Sequence, residues 1–246
     1  MKGVIMAGGK GTRLRPLTYH MPKPMVPLLH TPVMEYSIEL LKKHGITEIA
    51  VTTGYLAEDI KQYFGDGSSW GVNLSYFDEI SPLGTAGSVK NAEAFLDETF
   101  VVISGDILTD FNLSDGINFH DMKKSTLTIL MKEVENPSEY GILTTNSDGR
   151  VNRFLEKPKC HEIFSDLINT GIYIVNPSIF SLIPQGECFD FSKDLFPLLI
   201  EQEDRVYGYL TNGYWSDIGT LPQYKQTRYD LLNDRVNFNV STKIAK

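Results

Sequence analysis

Residues 4–18 read Val4-Ile5-Met6-Ala7-Gly8-Gly9-Lys10-Gly11-Thr12-Arg13-Leu14-Arg15-Pro16-Leu17-Thr18, an apolar run that opens into three glycines within four positions. The stretch 4–7 predicts a buried strand. The glycines let the following backbone turn sharply and aim N–H groups at an anion. A dinucleotide fingerprint needs a third glycine where Leu14 stands, and a Walker loop needs Ser or Thr where Gly11 follows Lys10. Both patterns fail, so the loop is an anion cradle of another kind or a turn without a ligand.

Outward from this loop, helical and strand periods alternate. They predict a helix over 35–44 with Gly45 just past its end, a strand over 46–53 and a helix over 57–64. A strand over 72–77, a helix over 85–95 and the apolar run FVVIS at 100–104 follow. Such alternation implies a mostly parallel sheet with helices on both faces, whose ligands sit beyond the carboxyl ends of the strands. Gly8 and Gly105-Asp106 each follow such an end. The second half is richer in β structure, with strands over 126–132, 141–144, 153–156 and 168–175 and a hairpin turn at Asp148-Gly149. Helices return over 177–182, 192–201 and 221–232. No linker of Pro, Gly and Ser separates the halves. The expected fold is therefore α/β, a Rossmann-like, mostly parallel or mixed sheet flanked by helices with a β-rich lobe. It forms one domain over 1–246, with halves at about 1–112 and 113–234.

The 246 residues carry 23 Lys and Arg against 31 Asp and Glu, a formal charge of −8 without a basic run. That balance argues against nucleic-acid binding, which draws on phosphate neutralisation. The two cysteines, Cys160 and Cys188, form no metal-ligand spacing, and reduced thiols are expected. The apolar start is too short for a signal peptide and no stretch approaches a membrane span, so no membrane partner and a cytoplasmic location are expected.

Further candidates sit at sharp local signals. Lys23 lies between Pro22 and Pro24, and the following proline predicts an extended backbone that lowers the entropy cost of gripping a phosphate. Lys157, before Pro158, is expected to be extended in the same way. Thr85, after Leu83-Gly84, is available as a helix N-cap. Asp106 closes the strand at 100–104, where an acid serves equally as magnesium ligand or helix cap.

Taken together, Gly8-Gly9-x-Gly11-Thr12-Arg13-Leu14-x-Pro16-Leu17-Thr18 followed by Pro22-Lys23-Pro24 resembles the signature of the sugar-1-phosphate nucleotidyltransferases. The resemblance runs from Met1 to about Asn233. It implies that Ala7, Gly8, Gly9, Gly11 and Thr12 cradle a nucleoside triphosphate, and that Arg13 and Lys23 neutralise the departing pyrophosphate. It places Leu83-Gly84-Thr85-Ala86-Gly87 against the base, with Gly84 allowing close approach. It also implies that Asp106 and Asp217, the latter in Tyr214-Trp215-Ser216-Asp217-Ile218-Gly219-Thr220, hold Mg²⁺, for which Mn²⁺ can substitute. Gly141, Glu156 and Asn169 are implied at the sugar hydroxyls and Lys157 at the sugar's phosphate. The partners so implied are a nucleoside triphosphate and a sugar 1-phosphate, with a homo-oligomer left open.

Within the family, Phe189-Asp190-Phe191-Ser192-Lys193-Asp194-Leu195-Phe196-Pro197 and Tyr207-Gly208-Tyr209 most resemble bacterial mannose-1-phosphate guanylyltransferases. Members of that branch often continue past the last helix into a further domain, and His30 stands where Asn is frequent. Glu79 occupies a place where thymidylyl- and uridylyltransferases usually carry Gln. A carboxylate accepts two adjacent donors, such as N1–H and the amino group of guanine, whereas uracil and thymine present one donor between carbonyls. GTP is therefore expected, with mannose 1-phosphate as acceptor. Thymidylyl or uridylyl transfer to glucose 1-phosphate is the alternative. A glycosyltransferase would show Asp-x-Asp, which this chain lacks. A regulatory paralogue that binds without catalysis is opposed by the presence of Arg13, Lys23, Asp106 and Asp217.

Overall fold

The computed structural model describes residues 1–237. The chain opens with strand β1 (Lys2–Ala7), a 3-10 turn at Thr12–Leu14 and another at Lys23–Met25. A small hairpin of β2 (Pro27–Leu28) and β3 (Thr31–Pro32) leads into α1 (Val33–Lys43). Then come β4 (Glu48–Thr53), α2 (Ala57–Phe64), β5 (Asn73–Asp78), α3 (Gly84–Lys90), β6 (Phe100–Ser104) and β7 (Ile107–Thr109). Helix α4 (Leu113–Lys123) precedes β8 (Leu127–Glu133), β9 (Gly141–Thr145), β10 (Val151–Glu156) and β11 (Leu167–Val175). A 3-10 helix (Pro177–Leu182) and a π-helical turn (Phe191–Leu195) lead to α5 (Phe196–Glu201), β12 (Val206–Leu210), β13 (Trp215–Asp217) and α6 (Leu221–Leu232).

Strands β6, β1, β4 and β5 pair in parallel, in that order, as the alternating pattern predicts. Strand β11 then joins β6 antiparallel, with β8 and β9 against β11, β10 against β9 and β12 parallel to β8. The result is one nine-stranded mixed sheet. Successive side chains of a strand point to opposite faces. Val4 and Val102 accordingly enter a core under α3 and α5, while Ile5, Val101 and Ile103 enter the core under α1 and α2. A third core gathers Leu14, Val26, Leu28, Leu108 and Ile218 beneath the glycine loop. It ties the turn carrying Arg13 to the strand carrying Asp217.

Three expectations are corrected. Lys23 is not extended: it opens a 3-10 turn closed by Met25 N–H to Pro22 O (2.9 Å) and Val26 N–H to Lys23 O (3.1 Å). The extended residue is Pro22, at ψ 147°. Lys157 has φ +47°, because its N–H folds back onto Tyr140 O at 3.0 Å to close the β9–β10 ladder. Thr85 does not cap α3, which starts one residue earlier with no side-chain cap. Its hydroxyl is engaged by Asp190 and Phe191 instead. Helix α4 is an element that hydrophobic period misses: its buried residues are Leu113, Gly116 and His120, which form a helical face without an apolar stripe.

Candidate functional site

The glycine loop is built by close approach. A Cβ at Gly8 would lie 2.6 Å from Glu79 Oε1, and one at Gly54 would lie 3.0 Å from Gly8 O. Gly11 sits at φ +59° and starts the 3-10 turn, with Leu14 N–H on its carbonyl at 2.9 Å and the Thr18 hydroxyl on the same oxygen at 2.7 Å. Leu14 is fully buried, so it anchors the turn while Thr12 and Arg13 stay exposed.

A cleft of about 730 Å³ opens over this loop. Ala7, Gly8, Gly9, Gly11, Thr12, Arg13, Lys23, Glu79, Gly84 and Asp106 all line it. Lys23 and Asp106 meet there as a hydrogen-bonded ion pair. Burial works to raise the Asp106 carboxyl, but the Lys23 charge and hydrogen bond, helped by the Ser104 hydroxyl, outweigh it and hold the group below the usual carboxylate range. Glu79 accepts Leu83 N–H at 3.0 Å through Oε2. Gly84 has φ +70°, and a Cβ there would collide with the Phe189 carbonyl at 2.7 Å. The need for glycine at 84 is thus accounted for by the neighbouring chain segment.

Asp217 reaches the same corner from β13, which pairs with β7 so that Asp217 stands opposite Ile107 and Ile218 N–H bonds Asp106 O at 2.9 Å. Burial, then the charge of Asp106, pushes the Asp217 carboxyl above its ordinary value. Two neighbouring acids whose charges oppose each other are a donor set that a divalent cation reconciles. Gly219, which lines the cleft, would bring a Cβ within 2.8 Å of Asp217 Oδ2 and 3.6 Å of Arg13 Nη2. No cluster of three or more His, Cys, Asp or Glu suited to a metal occurs among the described residues. One or two carboxylates are enough to hold a hard divalent cation.

Gly141, Glu156, Lys157 and Asn169 are not among the residues lining this cleft; they form a second group on β9, β10, the residue after β10, and β11. Gly141 pairs with Glu156 across the ladder, and a Cβ at 141 would lie 2.7 Å from Glu156 Oε2. Burial raises the Glu156 carboxyl, with Lys157 and Ser192 opposing. Asn169 accepts Gly171 N–H at 2.9 Å and donates to Tyr173 OH at 3.0 Å and Ser192 Oγ at 3.4 Å. Lys157 is exposed.

Sequence reasoning missed the bridge between the two groups. Asp190 lines the cleft and accepts both the amide and the hydroxyl of Thr85, at 3.1 and 3.0 Å, two residues before Ser192 meets Asn169. The run Phe189–Pro197 was legible as a branch marker but carries no spacing that places it across from Thr85. Tyr140 and Gln223, which bond Asp217, were missed as well.

The family model for nucleotidyl transferases matches residues 2–234, nearly the whole chain. The chain belongs to the nucleotidyl transferase family. Among curated relatives of the chain, a UTP--glucose-1-phosphate uridylyltransferase of Synechocystis is 40% identical over 96% of the chain. Mannose-1-phosphate guanylyltransferase of Mycobacterium tuberculosis is 34% identical over 93% of it. The Candida albicans mannose-1-phosphate guanyltransferase is 37% identical over 89%. The chain spans 64% of the length of the first two and 61% of the third. Among solved structures, a provisionally assigned glucose-1-phosphate thymidylyltransferase from Bacillus anthracis, in complex with sucrose, superposes with a TM-score of 0.86 at 26% identity, covering 98% of each chain. HddC from Yersinia pseudotuberculosis, complexed with GMP-PN, gives 0.80 at 29% identity, covering 94% of this chain and 99% of that one. No helix among the described residues is long and apolar enough to cross a membrane.

Proposed function

We propose that this nucleotidyl transferase joins a nucleoside triphosphate to a sugar 1-phosphate, forming a nucleotide sugar and releasing pyrophosphate. The observation that carries the reading is the meeting of Lys23, Asp106 and Asp217 beside the glycine loop, with Arg13 on the same rim. The nucleotide half, about 1–112, supplies the loop, and the half at about 113–234 supplies Gly141, Glu156, Lys157 and Asn169 for the sugar phosphate.

A sugar phosphate is already anionic near neutral pH, since the second pKa of a phosphate monoester is about 6. No general base is needed. One of its oxygens attacks the α-phosphorus, the bond from the α-phosphorus to the bridging oxygen breaks, and pyrophosphate leaves with that electron pair. The work of the protein is positioning and charge stabilisation. Loop N–H groups orient the triphosphate, Arg13 and Lys23 meet the charge growing on the leaving group, and Lys157 holds the acceptor's phosphate. Asp106 and Asp217 would hold Mg²⁺, which when bound would supply Lewis-acid neutralisation of phosphate charge.

We read the triphosphate as GTP and the acceptor as mannose 1-phosphate. Support comes from the Glu79 carboxylate lining the cleft against Gly8 and from the guanylyltransferase relatives. The 40% identical uridylyltransferase favours UTP and glucose 1-phosphate as the second reading. Measuring kcat/KM for GTP, UTP and dTTP in the parent and in Glu79→Gln separates them. A guanine reader should prefer GTP, and the gap should narrow in the variant because an amide both donates and accepts. A parent preference for UTP, or an unchanged ratio in Glu79→Gln, would remove Glu79 from base selection.

A further inference from the structure

The first turn of α6 closes on Asp217 beside Gly219, where a Cβ would lie 2.8 Å from Asp217 Oδ2 and 3.0 Å from Gln223 Oε1. Gln223 Nε2 donates to Asp217 Oδ1 at 2.9 Å and to Tyr140 OH at 2.9 Å, and the Tyr140 hydroxyl donates to the same Oδ1 at 3.2 Å. At the amide's other end Oε1 accepts the Thr220 hydroxyl at 2.9 Å. A carboxylate oxygen only accepts, so the donor end, Nε2, is the one that faces Asp217. Tyr140 is fixed in turn by its edge-to-face contact with Trp215, on the strand that carries Asp217, with ring centroids 5.4 Å apart. Oδ1 therefore takes two donors, while Oδ2 lies on the side of Gly219 and the cleft.

We propose that Gln223, together with Tyr140, is a positioning residue for Asp217: the pair holds Oδ1 so that Oδ2 is presented to the divalent cation shared with Asp106. This rests on the metal role read for Asp217 above. Neither residue is among those lining the cleft, and both act through the carboxylate's orientation. Outer partners of this kind commonly carry about 10–100-fold in metal affinity.

The test is Mn²⁺ binding to the full chain, followed by the electron paramagnetic resonance signal of free Mn²⁺, in the parent, Asp217→Asn, Gln223→Leu and Tyr140→Phe. Nucleotide affinity without metal is measured alongside. Gln223→Leu should weaken Mn²⁺ binding about tenfold, and Tyr140→Phe should weaken it by less, with metal-free nucleotide affinity unchanged in both. The double variant should fall short of the product of the single effects, because the two donors serve one oxygen. Tyr140→Phe keeps the ring on Trp215 and decides the matter if Gln223→Leu fails to fold. If Asp217→Asn loses Mn²⁺ while Gln223→Leu and Tyr140→Phe bind it like the parent, the positioning role is overturned and the metal reading stands. If Asp217→Asn itself binds Mn²⁺ like the parent, the metal reading fails and the positioning role falls with it.

Discussion

Arg13 stands exposed on a 3-10 turn whose neighbouring residue, Leu14, is fully buried, so its backbone is held while its guanidinium is free to meet a ligand. Removing a preorganised donor from a developing anion costs ~3 kcal/mol, roughly a hundredfold or more in rate. Arg13→Ala should lose turnover on that scale in single-turnover assays, with a thermal midpoint close to the parent's. Asp217 argues differently, because burial and the charge of Asp106 both oppose its ionisation. The neutral isostere Asp217→Asn removes that opposition. Its thermal midpoint should match or exceed the parent's, while turnover falls by about 100-fold; a lowered midpoint with intact turnover would contradict the role. At this scale motif order alone picked out Ala7, Gly8, Gly9, Gly11, Thr12, Arg13, Lys23, Glu79, Gly84 and Asp106, which line one cleft. The backbones of Lys23 and Lys157 were not. A proline biases its predecessor toward extension, but here a tight turn and a ladder-closing hydrogen bond override that bias.

Helix α2 at Ala57–Phe64, with Ile60 and Phe64 at helical spacing on its buried face, was legible to the residue, as was α6 at Leu221–Leu232, although the buried residues of α6, Thr227 and Asp230, are polar. Helix α4 was not, since its inward face pairs Leu113 with a glycine and a histidine. A Cβ at Gly116 would come within 2.8 Å of Leu130 Cδ2, so the helix packs too closely on β8 for a larger apolar residue. Its His120 is 3% exposed, lies 2.9 Å from Thr128 Oγ1, and is pushed by burial from 6.5 down to about 4. Between those values the unfolded chain binds a proton that the folded chain refuses. The stability tied to neutral His120 is therefore complete above pH 6.5 and is lost as pH falls toward 4. Unfolding free energies across that window should decline more steeply in the parent than in His120→Gln, by up to about 1.4 kcal/mol per pH unit. Parallel slopes would show that His120 titrates equally in both states. The short strands β7 and β13 were invisible for another reason. Three residues each are too few to show a period, yet their pairing brings Asp217 to Asp106.

Across the whole molecule, one mixed sheet carries the glycine loop and the second group, while Lys23 and Asp217 reach the first group from outside it, on a 3-10 turn and on β13. The parallel strands deliver the glycine loop and Asp106, and the antiparallel part delivers Gly141, Glu156 and Asn169. Residues Phe189 to Ser192 tie the groups together: Ala86 and Gly87 N–H groups bond Phe189 O at 2.9 Å each, Asp190 takes Thr85, and Ser192 takes Asn169. That connection spans more than a hundred residues of sequence, and no local pattern announces it. The most direct test of the central claim incubates the protein with Mg²⁺, GTP and mannose 1-phosphate and follows pyrophosphate and nucleotide sugar together. Both products should appear in equal amounts and only when both substrates are present. Replacing GTP by UTP or dTTP, or mannose by glucose 1-phosphate, should change the rate and not the chemistry. Release of inorganic phosphate in place of pyrophosphate, or no product from any of these pairings, would contradict the account.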